Sequence, residues 1–205
     1  MNKYNSLTNY LNSNNINIIE GYTKEVPLQY EIIKNIILMN KDKINNILEI
    51  GFNAGHSSEL FLKNTNQNCK IISFDLGEYD FGKVSKKYID FTYPFRHQLI
   101  LGDSTKTIPE FIELSSYQPK FDVIFIDGGH TYEIAKEDFY NCQKLAHKDT
   151  ILLFDDVVYN QKLIGQTTIG PTQVWREAYT KNEVIEQGNE SFSQGRGMAW
   201  GKYNL

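Results

Sequence analysis

The chain reads as an α/β protein built on a doubly wound, mostly parallel sheet with a C-terminal antiparallel strand pair. Three observations predict this. Short apolar runs at residues 47–50, 71–75, 98–103, 121–127 and 151–155 are separated by segments of helical character, and that alternation builds a parallel sheet with helices on both faces. The runs are nearly continuous rather than alternating, as in strands covered on both sides. After residue 156 the rhythm changes, and Gly188, Gly195, Gly197 and Gly201 punctuate a tail that fits a terminal antiparallel pair.

Each element has a local signal. Residues 1–20 are polar and read as a loosely structured lead-in. Pro27 opens a helix with Ile32, Ile33, Ile36, Ile37 and Met39 on one face. The first strand, 47–50, runs into the turn 51–55, and a helix carrying Leu60, Phe61 and Leu62 follows. The second strand ends on Asp75, and residues 82–92 look helical up to Pro94. The third strand ends on Asp103, ahead of a short helix at 107–114. The fourth ends on Asp127, and residues 131–146 form an amphipathic helix with Ile134, Ala135, Phe139, Cys142 and Leu145 inward. The fifth closes on Asp155-Asp156. Residues 157–173, with Gly165, Gly170 and Pro171, read as a long loop, 174–180 as a helix, and 184–203 as the terminal pair.

The 205 residues suit a single domain, 1–205, with 1–44 as an N-terminal helical extension. A formal net charge of −4 argues against a general nucleic-acid binder, which would carry a basic footprint. Cys69 and Cys142 give neither a disulfide framework nor zinc spacing. The N-terminus lacks the apolar core of a signal peptide, and no apolar stretch approaches a membrane span. The expectation is a cytoplasmic protein without membrane or nucleic-acid partners; a homo-oligomer is compatible with the chain.

Ligands of open α/β sheets bind outside the carboxyl ends of the strands. If the strands ending in Asp127 and in Asp155-Asp156 are neighbours, three carboxylates converge there. Like charges that close repel unless a cation or proton lies between them, and hard oxygen ligands suit Mg²⁺ or Ca²⁺. His130 follows three residues after Asp127. Taken singly, Asp155-Asp156 also reads as the cap of a turn, and His130 as the start of its helix.

The segment Glu49-Ile-Gly51-Phe-Asn53-Ala-Gly55-His-Ser57 leaves a strand and opens a helix, where glycines allow close backbone approach and free N–H groups face a ligand. It resembles motif I of the class I S-adenosylmethionine (SAM)-dependent methyltransferases, a Rossmann-like fold, over residues 45–160. The resemblance implies SAM binding by Glu49, Gly51, Asn53, Gly55 and Ser57, with Asp75 on the ribose hydroxyls and Asp103-Ser104 near the adenine. Alone, Asp75 reads equally as a loop acid or N-cap, and Ser57 as a hydroxyl capping its own helix.

Phe125-Ile-Asp127-Gly-Gly-His130 and Leu152-Leu-Phe-Asp155-Asp156 resemble the metal site of the catechol O-methyltransferase group. Histidine stands here where that group has a lysine base, which is closer to the macrolide-sugar O-methyltransferases. The resemblance assigns Asp127, Asp155 and Asp156 to Mg²⁺ or another divalent cation, and His130, with Asp127, to catalysis. It implies methylation of a hydroxyl on a small acceptor, a sugar or glycoside. A catechol or phenol acceptor, and a non-catalytic module that retains the fold, are the alternatives. Acceptor contacts are expected from residues 22–30, from the aromatic stretch 88–95, and from the loop 157–173. Trp175 is expected in the core, His56 and His97 at the surface or in packing, and His147 near a helix C-terminus.

Overall fold

The computed structural model describes residues 4–17, 23–115, 119–192 and 195–205. Its strands are β1 (Asn46–Ile50), β2 (Lys70–Asp75), β3 (His97–Leu101), β4 (Phe121–Ile126), β5 (Ala146–Asp155), β6 (Val184–Ser191) and β7 (Gly197–Tyr203). They form one sheet in the order β3-β2-β1-β4-β5-β7-β6. The first five are parallel, and β7 runs antiparallel to both β5 and β6. This is the predicted fold class, a Rossmann-like sheet closed by an antiparallel pair.

Side chains alternate across each strand, which sorts the core into two layers. Ile47, Ile71, Val123, Phe125, Ile151 and Leu153 face one layer, where they meet α1 (Leu7–Ser13), α2 (Pro27–Asn40), α3 (His56–Asn64) and α4 (Asp80–Thr92). Leu48, Ile50, Phe74, Ile124, Ile126, Leu152 and Phe154 face the other, where they meet α5 (Ser104–Leu114), α6 (Tyr132–Gln143) and α7 (Ile169–Thr180). Both faces are dry, which is why the strands lack polar alternation. Trp175 is fully buried in the second layer.

Several elements depart from the sequence expectation. Within the segment expected to be loose, residues 7–13 form α1; residues 1–3 and 18–20 lie outside the described set. Its Leu7 and Leu11 give one apolar contact pair, too short a stripe to show periodicity, and tertiary docking supplies the rest. Glu59 of α3 does this docking: it accepts the Leu7 backbone N–H (2.7 Å), the Lys24 ammonium (3.1 Å) and the Tyr88 hydroxyl (3.1 Å). A buried carboxylate with three donors is satisfied where an unpaired one would be costly. Strand β5 begins at Ala146, so His147 is a strand residue paired with Asp122 (3.1 Å), not a helix end. Helix α7 begins at Ile169, inside the expected loop. Gly170 and Pro171 read as breakers, but first-turn N–H groups have no intrahelical partner, so proline there removes no helix bond. His56 and His97 are both buried, and burial pushes them down to about 4 and about 3, so both are neutral packing residues.

Candidate active site

The strand order reverses between β1 and β4, so the loops leaving their carboxyl ends diverge and open a crevice. The two strand ends are nearly in contact. Asp127 donates its N–H to the Ile50 carbonyl (3.0 Å), and Gly51 donates to the Phe74 carbonyl (2.8 Å). Gly51 has φ +91°, and a Cβ there would lie 1.9 Å from the Asp127 carbonyl oxygen. Only glycine permits this approach, so Gly51 joins the loop after β1 to the acidic strand tip.

Asp75 ties the same loop to β2. Its Oδ2 accepts the Asn53 N–H (2.8 Å) and its Oδ1 the Gly77 N–H (2.7 Å). Asn53 is held in a left-handed turn at φ +46°. Each carboxylate oxygen retains a lone pair for a further donor. Asp75→Ala is therefore expected to weaken SAM binding about tenfold to a hundredfold, since hydrogen bonds to a charged group contribute about 1.5–3 kcal/mol. Calorimetry checks this, and an unaltered dissociation constant would remove Asp75 from the cofactor site.

One cavity of about 400 Å³ joins the two regions. One wall carries Gly51, Asn53, Asp75 and Ser104; the other carries Asp127, His130, Asp156 and Arg196. Of the other residues expected at the cofactor, Glu49, Gly55, Ser57 and Asp103 are not on its walls. Strand alternation turns Glu49 beneath α3, where Ser58 and Ser73 donate to its carboxylate and His97 bonds Ser73 (2.9 Å). Burial pushes the Glu49 carboxyl up, and its hydrogen bonds to Ser57, Ser58 and Ser73 oppose the rise. Asp103 caps α5, accepting from the Thr105 N–H (3.0 Å) and hydroxyl (2.7 Å). The aromatic stretch 88–95 is also off the cavity. Helix α4 starts beside the carboxyl end of β2 and returns to the amino end of β3, leaving Phe91 and Phe95 at the surface of the opposite edge. Of the loop 157–173, Thr167 reaches the cavity; of residues 22–30, none is on its walls, and Tyr22 lies outside the described residues.

Because β4 and β5 are parallel neighbours with Ile126 beside Phe154, Asp127, Asp155 and Asp156 leave the sheet side by side. Burial, and then repulsion from Asp155 and Asp156, pushes the Asp127 carboxyl well above its usual range. Burial and repulsion from Asp156 raise Asp155 to about 6. Asp156 has a left-handed backbone, φ +58°, a strained conformation of the kind that clusters at functional sites. Its Oδ2 lies 3.0 Å from His130 Nε2. That hydrogen bond, working against burial, raises the His130 pKa.

The start of α7 holds His130 and Asp156 in register. Thr172 bonds the Asp156 carbonyl (3.2 Å) and accepts the Val158 N–H (2.9 Å). A Cβ on Gly170 would meet the His130 carbonyl oxygen at 2.4 Å, so this helix packs directly on the His130 backbone.

The donor chemistry of the cluster suits a divalent cation. Asp155 Oδ1 is taken by the Asp156 N–H (2.8 Å) and Asp156 Oδ2 by His130, while the buried Asp155 Oδ2 and Asp156 Oδ1 have no hydrogen-bond partner. These are hard oxygens on one edge, next to the Asp127 carboxylate. Yet among the described residues no three His, Cys, Asp or Glu side chains are gathered as ligands of one ion. Arg196 stands among them, with Nη2 3.7 Å from Asp155 Oδ2 and Nε 3.5 Å from Asp156 Oδ1. Sequence reasoning misses Arg196. Its proximity follows from the pairing of Asp155 with Met198 in the antiparallel β5–β7 ladder, which brings the residue two before Met198 to the acidic tip.

A crevice at the strand reversal, a glycine turn after β1, an acid after β2 and an antiparallel β7 beside β5 are the arrangement expected of a class I SAM-dependent methyltransferase. Residues 48–157 match the model of the methyltransferase domain family, and the chain belongs to that family. No curated protein matches the chain by sequence. Among solved structures it is similar to an O-methyltransferase from Bacillus cereus in complex with SAH, at 18% identity and TM-score 0.76, over 97% of this chain and 89% of that one. It is similar to the O-methyltransferase TomG from Streptomyces achromogenes, involved in tomaymycin synthesis and solved with SAM, at 14% identity and TM-score 0.74, over 97% and 88%. A third is CalS11, a TDP-rhamnose 3′-O-methyltransferase of calicheamicin biosynthesis, at 17% identity and TM-score 0.61, over 87% and 84%. At these identities the likeness is one of fold. Among the described residues no helix is long and apolar enough to cross a membrane.

Proposed function

We propose that the chain is a SAM-dependent O-methyltransferase acting on a hydroxyl of a small acceptor, a sugar or glycoside, with a divalent cation held by Asp127, Asp155 and Asp156. The observation that carries this reading is the shared cavity: Gly51, Asn53, Asp75 and Ser104 form one wall and Asp127, His130 and Asp156 the other. A methyl donor seated on the first wall is thereby within reach of an acceptor activated at the second. The whole chain forms the methyltransferase unit, with the N-terminal helices as an extension. The likeness to CalS11, a TDP-rhamnose 3′-O-methyltransferase, supports a sugar as acceptor. The unpaired, buried Cys69 and Cys142 accord with a reducing cytoplasm.

A sugar hydroxyl is a weak acid and a poor nucleophile while protonated. His130 donates Nε2–H to Asp156, which leaves Nδ1 to accept the hydroxyl proton. Asp156 fixes that tautomer and stabilises the imidazolium that forms, as a carboxylate does for a catalytic histidine. Asp127, Asp155 Oδ2 and Asp156 Oδ1 would hold the cation, which supplies Lewis-acid polarisation of the acceptor oxygen. The sulfonium of SAM already carries a good leaving group, so the remaining task is alignment of oxygen, methyl carbon and sulfur. Gly51 and Asp127 serve it by locking the two walls together.

The test is a hydroxyl panel of sugars, nucleotide sugars and catechols, assayed with labelled SAM with and without EDTA. EDTA-sensitive transfer to a sugar hydroxyl is the expected result; turnover of catechols alone would overturn the sugar assignment. Asp156→Asn is expected to abolish stimulation by Mg²⁺, because it removes a charge from the donor set. Unchanged metal dependence would take Asp156 out of that set.

A further inference from the structure

We infer that the Arg196 guanidinium and the divalent cation are alternative occupants of one position, so that metal binding expels Arg196 from the acidic tip. This rests on the cation site of the proposed function and adds a second state to it. Three features carry it. First, Arg196 is the positive group among Asp127, Asp155 and Asp156, and it lies against Asp155 Oδ2 and Asp156 Oδ1, the oxygens that a metal would use. Occupation by one therefore excludes the other.

Second, the guanidinium is held loosely. Its contacts of 3.5 and 3.7 Å exceed the 2.7–2.9 Å of charge-assisted hydrogen bonds, and its buried Nε has no hydrogen-bond partner. Both partners remain poorly satisfied, as expected of a placeholder rather than a bidentate lock. Third, there is somewhere for it to go. Nη1 lies 4.0 Å from Glu25 Oε2, in the 3-10 turn Thr23–Glu25. Glu25 is about half exposed and offers a carboxylate outside the cluster. Withdrawal toward it tightens that outer pair, gives up those to Asp155 and Asp156, and clears the space between them.

The exchange makes two demands. Removing the competitor must tighten metal binding, and removing its alternative partner must weaken it. Manganese titrated calorimetrically into the full chain without SAM or acceptor reads both. Arg196→Gln is expected to bind Mn²⁺ at least tenfold tighter than wild type, Arg196→Lys between the two, and Glu25→Gln a few-fold weaker. Equal or weaker binding by a folded Arg196→Gln variant would overturn the exchange while leaving the cation site standing. Absence of Mn²⁺ binding in every variant would overturn both, and SAM titrated into the same samples reports separately on the cofactor wall. A direct readout is available because the arginines of the chain are Arg96, Arg176 and Arg196. The Nε resonance of Arg196, assigned by its loss in Arg196→Gln, is expected to shift as Mg²⁺ saturates the wild type. Saturation without a shift would overturn the exchange.

Discussion

Gly51→Ala is expected to raise the dissociation constant for SAM by about a hundredfold. A left-handed conformation costs a residue with a Cβ about 1–2 kcal/mol. The new methyl would sit 1.9 Å from the Asp127 carbonyl oxygen, a backbone atom fixed by its place at the end of β4. No side-chain rotation relieves that overlap, so one strand end must move, at a cost of about 1–3 kcal/mol. At 1.4 kcal/mol per tenfold, about 3 kcal/mol, in the lower half of that sum, corresponds to the stated loss. Both walls of the cavity respond, because Gly51 carries the loop after β1 and Asp127 the acidic tip. A thermal melt separates this local effect from unfolding. A folded Gly51→Ala variant that binds SAM like wild type would contradict the contact assigned to this glycine.

His130→Ala is expected to lower kcat by about a hundredfold to ten-thousandfold, the usual contribution of a positioned base, with SAM affinity nearly unchanged. His130 is about half exposed and touches the acid wall, not the Asp75 wall, so its removal leaves the proposed cofactor wall intact. The pH profile adds a second signature. The hydrogen bond to Asp156 raises the His130 pKa, and the neutral imidazole is the active form. Activity of the wild type should therefore show an acid limb as His130 is protonated, and His130→Ala should lose that limb. Equal losses of kcat and of SAM affinity would make His130 a structural residue.

The parallel sheet is legible in the sequence because each strand is a dry, two-sided apolar run that ends in an acid or a glycine turn. The same signal places Asp127 and Asp155-Asp156 at one edge, since their position follows from neighbouring strand ends. The roles of Glu49 and Ser57 are not legible in this way. Strand alternation turns Glu49 beneath α3, and only the packed helix reveals that Ser57, Ser58 and Ser73 converge on it. The aromatic stretch 88–95 looks like an acceptor surface because residue types carry no direction along α4. Helix α1 is hidden because its stability comes from Glu59 and from packing, not from a long amphipathic stripe. Arg196 is hidden for a related reason: its position depends on an antiparallel register set by a distant ladder.

The proposed role of Asp127, Asp155, Asp156 and His130 beside a methyl donor is tested most directly by a crystal structure with S-adenosylhomocysteine and Mn²⁺. An anomalous peak among the three carboxylates, facing the sulfur of S-adenosylhomocysteine across the cavity and with Arg196 turned toward Glu25, is the expected result. S-adenosylhomocysteine bound away from Asp75, or manganese bound elsewhere while Arg196 keeps its contacts to Asp155 and Asp156, would contradict it.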